Sequence, residues 1–413
     1  MTKTLVIADP LWGGHHRVYI NMVANYALNS GFRVAVLTAQ PAAIDRELSA
    51  NVRYKQSGST SIGLEYRSPY FPSARFQPTW QAIAQWAEVA RTIKQNVQGS
   101  NLVFFPWLDS YLDRFLSGAI VDRIFPFRWA GIYFHPAHLR GISSKRAIRA
   151  GWISPDAAIR SKRCAAVGLL DQSVCSSLSA RLGGKAVIPF PDYADPSPPD
   201  DKWEAAETIK HLAQGRFVVG IVGSLEKRKG LLTALEAARL LEKEPFFFVF
   251  AGQLAASTFS EVELSTIREA KAFRTHNCFF YFGEIPDERK FNALIFSCDA
   301  IFAAYEKFPH SSNLLSKAAL FRKPVIVSKG YYMEEMTKHF GTGISIRDGN
   351  PADCLDALRT LRGEELGSAV TSREARYEDF SRANSLDAFT DAMNKVIAIA
   401  AVSGNQSSCS CKN

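Results

Sequence analysis

The chain has 413 residues, of which 47% are hydrophobic and 22% are charged. This length is too great for one ordinary hydrophobic core and predicts two domains of about 200 residues each. The composition excludes a disordered protein, and no apolar run approaches the ~20 residues that a helix needs to span a bilayer. The net charge of +9 is uneven, since residues 1–195 contain 22 Lys and Arg against 12 Asp and Glu, while the remainder contains 27 against 28.

The seven cysteines are too scattered for a disulfide framework. Cys409 and Cys411 lie in a Ser-rich tail, for which disorder is the main expectation and a bound metal or lipid is the alternative. The apolar run near the start of the chain is too short for a signal peptide. We therefore expect a cytoplasmic protein.

The first half of the chain alternates between predicted strands and helices. Helices are clearest at residues 16–28 and 79–95. Strands that are apolar on both faces are expected at residues 4–8, 33–38, 102–105, 130–134, 165–169 and 185–189. This alternation predicts a doubly wound, Rossmann-like domain over residues 1–190.

Five prolines between Pro189 and Pro199 interrupt the alternation, because proline is excluded from helix interiors and central strands. A Pro-rich linker is predicted over residues 191–210. The later strands are expected at residues 217–222, 246–251, 278–282, 300–303, 324–327 and 343–346. They predict a second Rossmann-like domain over 211–385, followed by a C-terminal helix over 386–402 and a disordered tail over 403–413.

The loop after the first strand contains Gly13 and Gly14, whose backbone can approach a ligand closely, and then His15 and His16. A plain tight turn is the alternative for the glycines. Either histidine is a candidate base, with a helix cap or a solvated side chain as the alternative. His135 follows the strand at 130–134, where a ligand contact and a structural role are equally supported.

The second half presents cations and a helix start in its loops. Arg228 and Lys229 follow the strand at 217–222, and cations beside a helix N-terminus suit a diphosphate. An exposed basic turn is the alternative. Small polar residues open a later helix, whose unpaired backbone N–H groups also suit a phosphate. The candidate residues at this helix start are Ser311, Ser312, Asn313 and Leu314.

In their order and spacing these loops resemble the GT-B fold glycosyltransferases, particularly glycosyltransferase family 4, over nearly the whole chain. The matching segments are Gly13-Gly14, Gly223-Ser224-Leu225, Lys229-Gly230, Gly283 to Asp287, Cys298-Asp299-Ala300 and Leu320 to Ile326. The resemblance implies an α/β protein of GT-B type, with two doubly wound Rossmann-like domains facing a cleft.

The resemblance also implies roles for single residues. Gly14 would line the sugar diphosphate, His135 would contact the transferred sugar, and Lys229 would neutralise the leaving diphosphate. No metal is implied, and no cofactor besides the nucleotide sugar as co-substrate. The implied donor-binding set is Gly13, Gly14, Ser224, Arg228, Lys229, Gly283, Ile285, Ser311, Ser312, Asn313, Leu314 and Lys317.

The chain departs from the family pattern at two glutamates that the family carries separated by seven residues. Anchored on Pro324, these positions fall on Pro309 and Lys317. In the family the second glutamate binds the ribose hydroxyls, and a lysine cannot accept hydrogen bonds. Glu306, three residues upstream of Pro309, is the candidate for the first role. Two further departures are Ser224 for an arginine, with Arg228 as its candidate replacement, and Arg322 for a glycine.

A basic segment between Arg140 and Arg163 predicts an anionic surface or partner for the first domain. The candidates for the acceptor or membrane side are His15, His16, Arg140, Lys145, Arg146 and Arg149. A solvated face is the alternative. Nucleic acid is not expected, since no recognised binding module is present.

These observations predict a retaining glycosyltransferase that transfers a sugar from a nucleotide-diphosphate sugar to a glycan or lipid-linked acceptor. His135 and Glu306 are the candidate catalytic residues. The protein is expected in the cytoplasm, with a peripheral position on the cytoplasmic membrane face as a further expectation. The alternatives are a non-catalytic GT-B protein that has lost the paired glutamates, which would bind a sugar nucleotide or act as a partner subunit, and a nucleotide-sugar epimerase.

Overall fold

A computed structural model describes residues 3–67, 76–140, 154–272, 276–363 and 376–409, with the backbone alone for 403–409. The chain forms two compact units. The first comprises Met1–Phe190 and Asp387–Asn413, and the second comprises Pro191–Leu386. In the described ranges, no helix has the length and apolar character required to cross a membrane.

The first unit is built on a parallel sheet of seven strands in the order β3-β2-β1-β4-β5-β6-β7. The strands are β1 Thr4–Asp9, β2 Arg33–Thr38, β3 Thr60–Gly63, β4 Ser100–Phe105, β5 Trp129–Tyr133, β6 Cys164–Leu169 and β7 Val187–Pro189. Its helices are α1 His15–Asn29, α2 Pro41–Leu48, α3 Val52–Gln56, α4 Gln77–Asn96, α5 Gly118–Ile124, α6 Cys175–Arg181 and α15 Leu386–Cys409. The strand order reverses between β1 and β4, so ligands are expected at the carboxyl ends of these two strands.

Aromatic side chains fill the core on one face of this sheet. The ring of Trp86, on α4, lies 4.8 Å from Phe105, 4.9 Å from Phe125 and 5.0 Å from Trp129. Its indole N–H donates to the carbonyl of Tyr111 at 2.9 Å. The buried polar atom is thereby satisfied, which is the condition for a tryptophan to be fully buried without cost.

Helix α15 packs on the first unit. The ring of Phe389 lies 5.6 Å from Phe190, and the hydroxyl of Tyr26 donates to Asn394 at 2.8 Å. The helix runs to Cys409, so residues 403–409 are helical where a disordered tail was predicted. No proline interrupts this stretch, and the hydrogen-bond ladder of the helix therefore continues through its polar residues. Cys411 lies outside the described residues.

The second unit contains a parallel sheet of six strands in the order β10-β9-β8-β11-β12-β13. The strands are β8 Phe217–Val222, β9 Phe246–Ala251, β10 Cys278–Tyr281, β11 Ala300–Ala303, β12 Val325–Ser328 and β13 Gly343–Ile346. The helices are α7 Glu204–Ala213, α8 Leu231–Leu240, α9 Glu261–Ala272, α10 Glu288–Phe296, α11 Asn313–Leu320, α12 Tyr332–Phe340, α13 Pro351–Arg362 and α14 Tyr377–Ala383. Apolar clusters cover both faces of the sheet. The predicted α/β class of two doubly wound units is confirmed.

The segment predicted as a linker is part of the second unit. The side-chain amide of Asn292 donates to the carbonyls of Asp195 and Ser197 at 3.1 and 2.8 Å. The backbone N–H of Asp192 donates to Asn384 Oδ1 at 2.9 Å. Helix α7 already begins at Glu204, before the predicted end of the linker at residue 210. Prolines exclude regular structure here, but side chains of the unit satisfy the backbone and hold the segment in place.

Candidate functional site

Many of the predicted site residues lie in loops at the carboxyl ends of strands, in both units. In the first unit, Gly13 and Gly14 separate β1 from α1. Gly14 has a φ of 60°, in the left-handed region that favours glycine. A Cβ atom on either glycine would meet no other atom within 4 Å, so the backbone is open to a ligand. His15, the next residue, is exposed on the first turn of α1.

His16 is held by a buried carboxylate. Its Nδ1 lies 2.8 Å from Oδ2 of Asp9, the last residue of β1, which is 0% exposed. Burial raises the pKa of Asp9, and the hydrogen bond from His16 opposes that increase. An ionised carboxylate only accepts hydrogen bonds, so Asp9 in that form places the imidazole proton on Nδ1 and makes Nε2 the acceptor nitrogen of a neutral His16.

His135 is held in a similar way by Asp109. Asp109 lies in the loop after β4, and its carboxylate accepts from the backbone N–H groups of Phe134 and His135, each at 2.8 Å. The Nδ1 of His135 lies 3.0 Å from the same carboxylate, while the side chain is 45% exposed. Because three groups converge on one carboxylate, Asp109 fixes both the loop and the ring of His135.

Trp107 brings the two histidines together. Its ring stacks on Phe134 at 3.8 Å and lies 4.4 Å from the ring of His16 and 5.6 Å from that of His135. The carboxyl ends of β1, β4 and β5 therefore form one surface with two imidazoles that are oriented by carboxylates. The sequence analysis identified both histidines but missed Trp107 and Asp109. Their position just after the buried strand β4 is the feature that could have identified them.

The basic segment of the first unit is only partly described. Arg140 makes a bidentate ion pair with Asp171, through Nε at 2.7 Å and Nη2 at 2.9 Å. Its Nη2 also donates to Oγ of Ser173. Its guanidinium is therefore engaged within the unit, which argues against the predicted contact of Arg140 with an anionic surface. Lys145, Arg146 and Arg149 lie outside the described residues.

In the second unit the strand order reverses between β8 and β11, and the loops after these strands pack together. The backbone N–H of Glu306 donates to the carbonyl of Arg228 at 2.7 Å. The guanidinium of Arg228 lies 4.6 Å from the ring of Phe308 and 5.8 Å from that of Tyr305. Tyr305 is buried and connects the basic loop to the start of α11, since its hydroxyl lies 3.3 Å from Oγ of Ser312.

Lys229 is the distinctive cation of this loop. Its ammonium lies 5.5 Å from the ring centre of Tyr305, and within the described ranges no carboxylate lies within ion-pair distance of it. The neighbouring cations differ, since Lys227 pairs with Glu263 at 2.6 Å and Arg228 with Glu226 at 2.7 Å. A half-buried ammonium without a counter-charge attracts an anion.

The start of α11 is capped by its own side chains. Ser312 Oγ accepts from the backbone N–H of Leu314, which gives the helix an N-cap. Ser311 Oγ donates to Asp192 at 2.6 Å, and the amide of Asn313 donates to the carbonyl of Tyr193. The side chains of Ser311 and Asn313 are thus already engaged with the extended segment. The backbone N–H groups and the positive end of the helix dipole are what the helix start offers a phosphate.

Glu306 lies in the loop that packs on the basic loop, and a second acid, Asp348, is near it. Burial raises the pKa of Glu306, and the nearby Asp348 raises it further. The backbone N–H of Lys307, which has a φ of 50°, donates to Asp348 at 2.8 Å. A carboxyl group with a raised pKa at the carboxyl end of a strand is a candidate for hydrogen bonding or proton exchange with a sugar hydroxyl.

Lys317 has an interior role rather than the predicted direct contact with the donor. It is only 3% exposed, and its ammonium donates to Glu288 at 2.6 Å and to Asn292 Oδ1 at 2.9 Å. The ring of Phe291 lies 5.1 Å away. These partners are on α10, so Lys317 joins α10 to α11.

The segment predicted to contact a base follows β10. Gly283 and Ile285 lie in the loop between β10 and α10, where the hydroxyl of Tyr281 donates to the carbonyl of Glu284 at 3.0 Å. Asp287 caps α10 by accepting from the backbone of Lys290. Ser224, at the end of β8, is exposed. In the part of the chain that the structure describes, no cluster of three or more His, Cys, Asp or Glu could hold a metal ion.

Comparison with known proteins gives a family match and a likeness in fold. Residues 204–376 match the family Glycosyl transferases group 1. This match lies within the second unit. No curated protein sequence matches the chain.

Three solved structures illustrate the likeness in fold. A glycosyltransferase from Rickettsia africae is 13% identical, with a TM-score of 0.63 over 96% of this chain and 98% of that one. HepE of Anabaena in complex with UDP-glucose is 15% identical, with a TM-score of 0.64 over 96% and 99%. Sucrose-phosphate synthase from Thermosynechococcus elongatus is 13% identical, with a TM-score of 0.66 over 96% and 98%. The chain therefore has the predicted GT-B fold.

Proposed function

We propose that this protein is a glycosyltransferase that takes a nucleotide-diphosphate sugar as its donor and retains the anomeric configuration. The observation that carries the proposal is the ammonium of Lys229, which pairs with no carboxylate of the described residues and lies with the start of α11 around the buried Tyr305. Two sources of positive potential converge where the strand order reverses, in a segment that matches the glycosyltransferase family. The structures of HepE with UDP and with UDP-glucose add support for a nucleotide-sugar ligand.

The proposed chemistry follows from charge. When the sugar leaves its nucleoside diphosphate, negative charge grows on the diphosphate oxygens. Lys229 and the N–H groups at the start of α11 are fixed before the reaction, so they stabilise this charge without reorganisation. The proposal accordingly needs neither a metal nor a cofactor beyond the nucleotide sugar. Glu306 would bind a hydroxyl of the transferred sugar.

The first unit would bind the acceptor. His16 and His135 each have a carboxylate on Nδ1, and both rings lie against Trp107. An imidazole fixed in this way presents Nε2 to a hydroxyl group, which is the reacting group of a glycan or lipid-linked acceptor. A position on the cytoplasmic face of a membrane stays a prediction.

A donor panel tests the proposal. The full chain would be incubated with UDP-, GDP-, ADP- and TDP-sugars, with binding measured by calorimetry and donor hydrolysis and transfer to added glycans followed by product analysis. We expect one nucleotide to bind and its sugar to be transferred with the same anomeric configuration. Glu306→Gln should reduce turnover while the exposed control Glu207→Gln does not. Failure to bind any donor would refute the proposal.

The second candidate function is binding without catalysis. It is favoured by Lys317 and Pro309, which stand where the family carries acids. Donor binding without turnover, in the presence of glycan and lipid-linked acceptors, would support this candidate. Formation of an epimer from the donor alone would indicate an epimerase instead.

A further inference from the structure

A buried lysine on α11 and a half-exposed glutamate on α10 form an ion pair that has no part in the proposed transfer of the sugar. The side chain of Lys317 is 4% exposed and that of Glu288 is 39% exposed. The bond joins Nζ to Oε2 at 2.6 Å. A buried ion pair contributes little to stability compared with apolar side chains of the same size, so its presence requires another explanation.

Among the residues that the structure describes, Glu288 is the only carboxylate that pairs with Lys317. Its other hydrogen bond goes to Oδ1 of Asn292, whose amide nitrogen already donates to the carbonyls of Asp195 and Ser197. Asn292 is 0% exposed and therefore cannot change its orientation without breaking these bonds. The ammonium is thus fixed in position, and it fixes the carboxylate of Glu288 in turn.

Only one oxygen of that carboxylate is occupied. In the described ranges, Oε2 of Glu288 bonds to Lys317, and Oε1 has no hydrogen-bond partner. A carboxylate in this state is an acceptor held in one orientation. A ligand hydroxyl can donate a hydrogen bond to it. Two adjacent hydroxyls, such as those of ribose, can donate to both carboxylate oxygens.

The location agrees with a nucleotide. Glu288 begins α10, directly after the loop at residues 282–287, so it lies at the carboxyl end of the sheet. A Cβ atom placed on Gly223 would lie 3.5 Å from Nζ of Lys229 and 3.8 Å from the ring of Phe291. Nζ of Lys317 lies 5.1 Å from the centre of that same ring. The cation assigned to the diphosphate and the Lys317–Glu288 pair therefore both lie in the neighbourhood of Phe291, which agrees with one nucleotide reaching from diphosphate to ribose.

We propose that Glu288, oriented by Lys317, accepts the hydrogen bonds of the ribose hydroxyls of the bound nucleotide. Glu288 is the binding residue and Lys317 is a positioning residue that never touches the ligand. The inference rests on the proposed function and assigns to a residue of α10 the acceptor that the family pattern places on α11. It also gives a role to Lys317, whose ammonium holds the carboxylate of Glu288 in position.

The test compares a nucleoside diphosphate with its 2′,3′-dideoxy analogue by calorimetry on the full chain. UDP is the first probe, followed by GDP and ADP. We expect the wild-type protein to bind the dideoxy analogue about tenfold or more weakly than the parent, because a charge-assisted hydrogen bond is lost. Glu288→Gln and Lys317→Met should bind both compounds with nearly equal affinity, whereas the control Glu207→Gln should keep the wild-type ratio.

A reversed pair separates positioning from a general loss of structure. In Glu288→Lys with Lys317→Glu the acid moves to the buried position on α11 and the cation to α10, and we expect the preference for the ribose hydroxyls to be lost even though urea unfolding shows that the fold is retained. Lys317→Glu alone places two acids together and should lose this preference as well. Equal binding of the two compounds by the wild-type protein, or an unchanged ratio in Glu288→Gln, would overturn the inference while leaving the proposed function intact. No binding of any nucleoside diphosphate would refute the proposed function itself.

Discussion

Replacing Lys229 by methionine is the most direct test of the diphosphate site. The change removes the ammonium but keeps an unbranched apolar stem, so the packing against Tyr305 is largely preserved. Since Lys229 has no carboxylate partner within ion-pair distance in the described ranges, its charge is available to the ligand in full. Loss of one hydrogen bond to a charged group costs about 1.5–3 kcal/mol, which corresponds to roughly 10- to 150-fold weaker binding.

The assay is calorimetric titration with the nucleoside diphosphate that binds best in the donor panel, alongside the corresponding nucleoside. We expect Lys229→Met to weaken the diphosphate by the stated factor and to leave the nucleoside unchanged. Lys227→Met is the matched control, because Lys227 is already paired with Glu263 at 2.6 Å and should lose less than about threefold. Urea unfolding should show no loss of stability for Lys229→Met, since no ion pair is broken.

Two outcomes would refute this reasoning. One is that Lys229→Met and Lys227→Met weaken binding of the diphosphate equally. In that case the overall positive electrostatic potential of the basic loop binds the diphosphate, and the ammonium of Lys229 has no special role. If the nucleoside is weakened as much as the diphosphate, Lys229 acts on the shape of the site instead of on the phosphates.

Three further predictions concern stability, each measured by urea unfolding. Gly220→Ala should destabilise by about 1–3 kcal/mol, because the new Cβ would lie 2.5 Å from Sγ of the buried Cys298. Arg322→Gly should stabilise the fold by up to about 1 kcal/mol. Arg322 has a φ of 53°, and the strain energy that glycine removes there exceeds the entropy by which glycine stabilises the unfolded chain. Burial raises the pKa of Asp156, but hydrogen bonds from His138 and a serine outweigh it and lower the pKa to about 2. The folded pKa lies below the ordinary value of 3.8, so this group should contribute about 2 kcal/mol above pH 5, lost as the pH falls from about 4 to 2, and Asp156→Asn should flatten that part of the profile.

The strands were predictable because most of them are buried on both faces. Strands β8 and β9 are nearly continuous apolar runs and were predicted with their observed bounds. Strand β3, Thr60–Gly63, was missed because it lies at the edge of its sheet, where half-exposed Thr and Ser replace the apolar pattern. Burial therefore decided which strands could be recognised from the sequence.

The site was predictable where its residues follow a strand or open a helix. Gly14 and Lys229 could be singled out because position along the chain alone places them at the carboxyl end of a parallel sheet. Arg322 was noted as a departure from a family glycine, and its φ of 53° shows that the backbone there still takes the conformation that glycine favours. These features are local, and the sequence contains them in full.

The sequence by itself thus determined the alternation of strands and helices, and with it the two doubly wound sheets and the loops that carry the candidate residues. Only the tertiary structure decided which charged side chains already have an ion-pair partner. Lys317 meets Glu288 across 29 positions of sequence, while Lys229 remains without a carboxylate in the described ranges. The physical reason is that strand and helix patterns depend on neighbouring residues, whereas the availability of a charge depends on partners that only folding brings within a few ångströms.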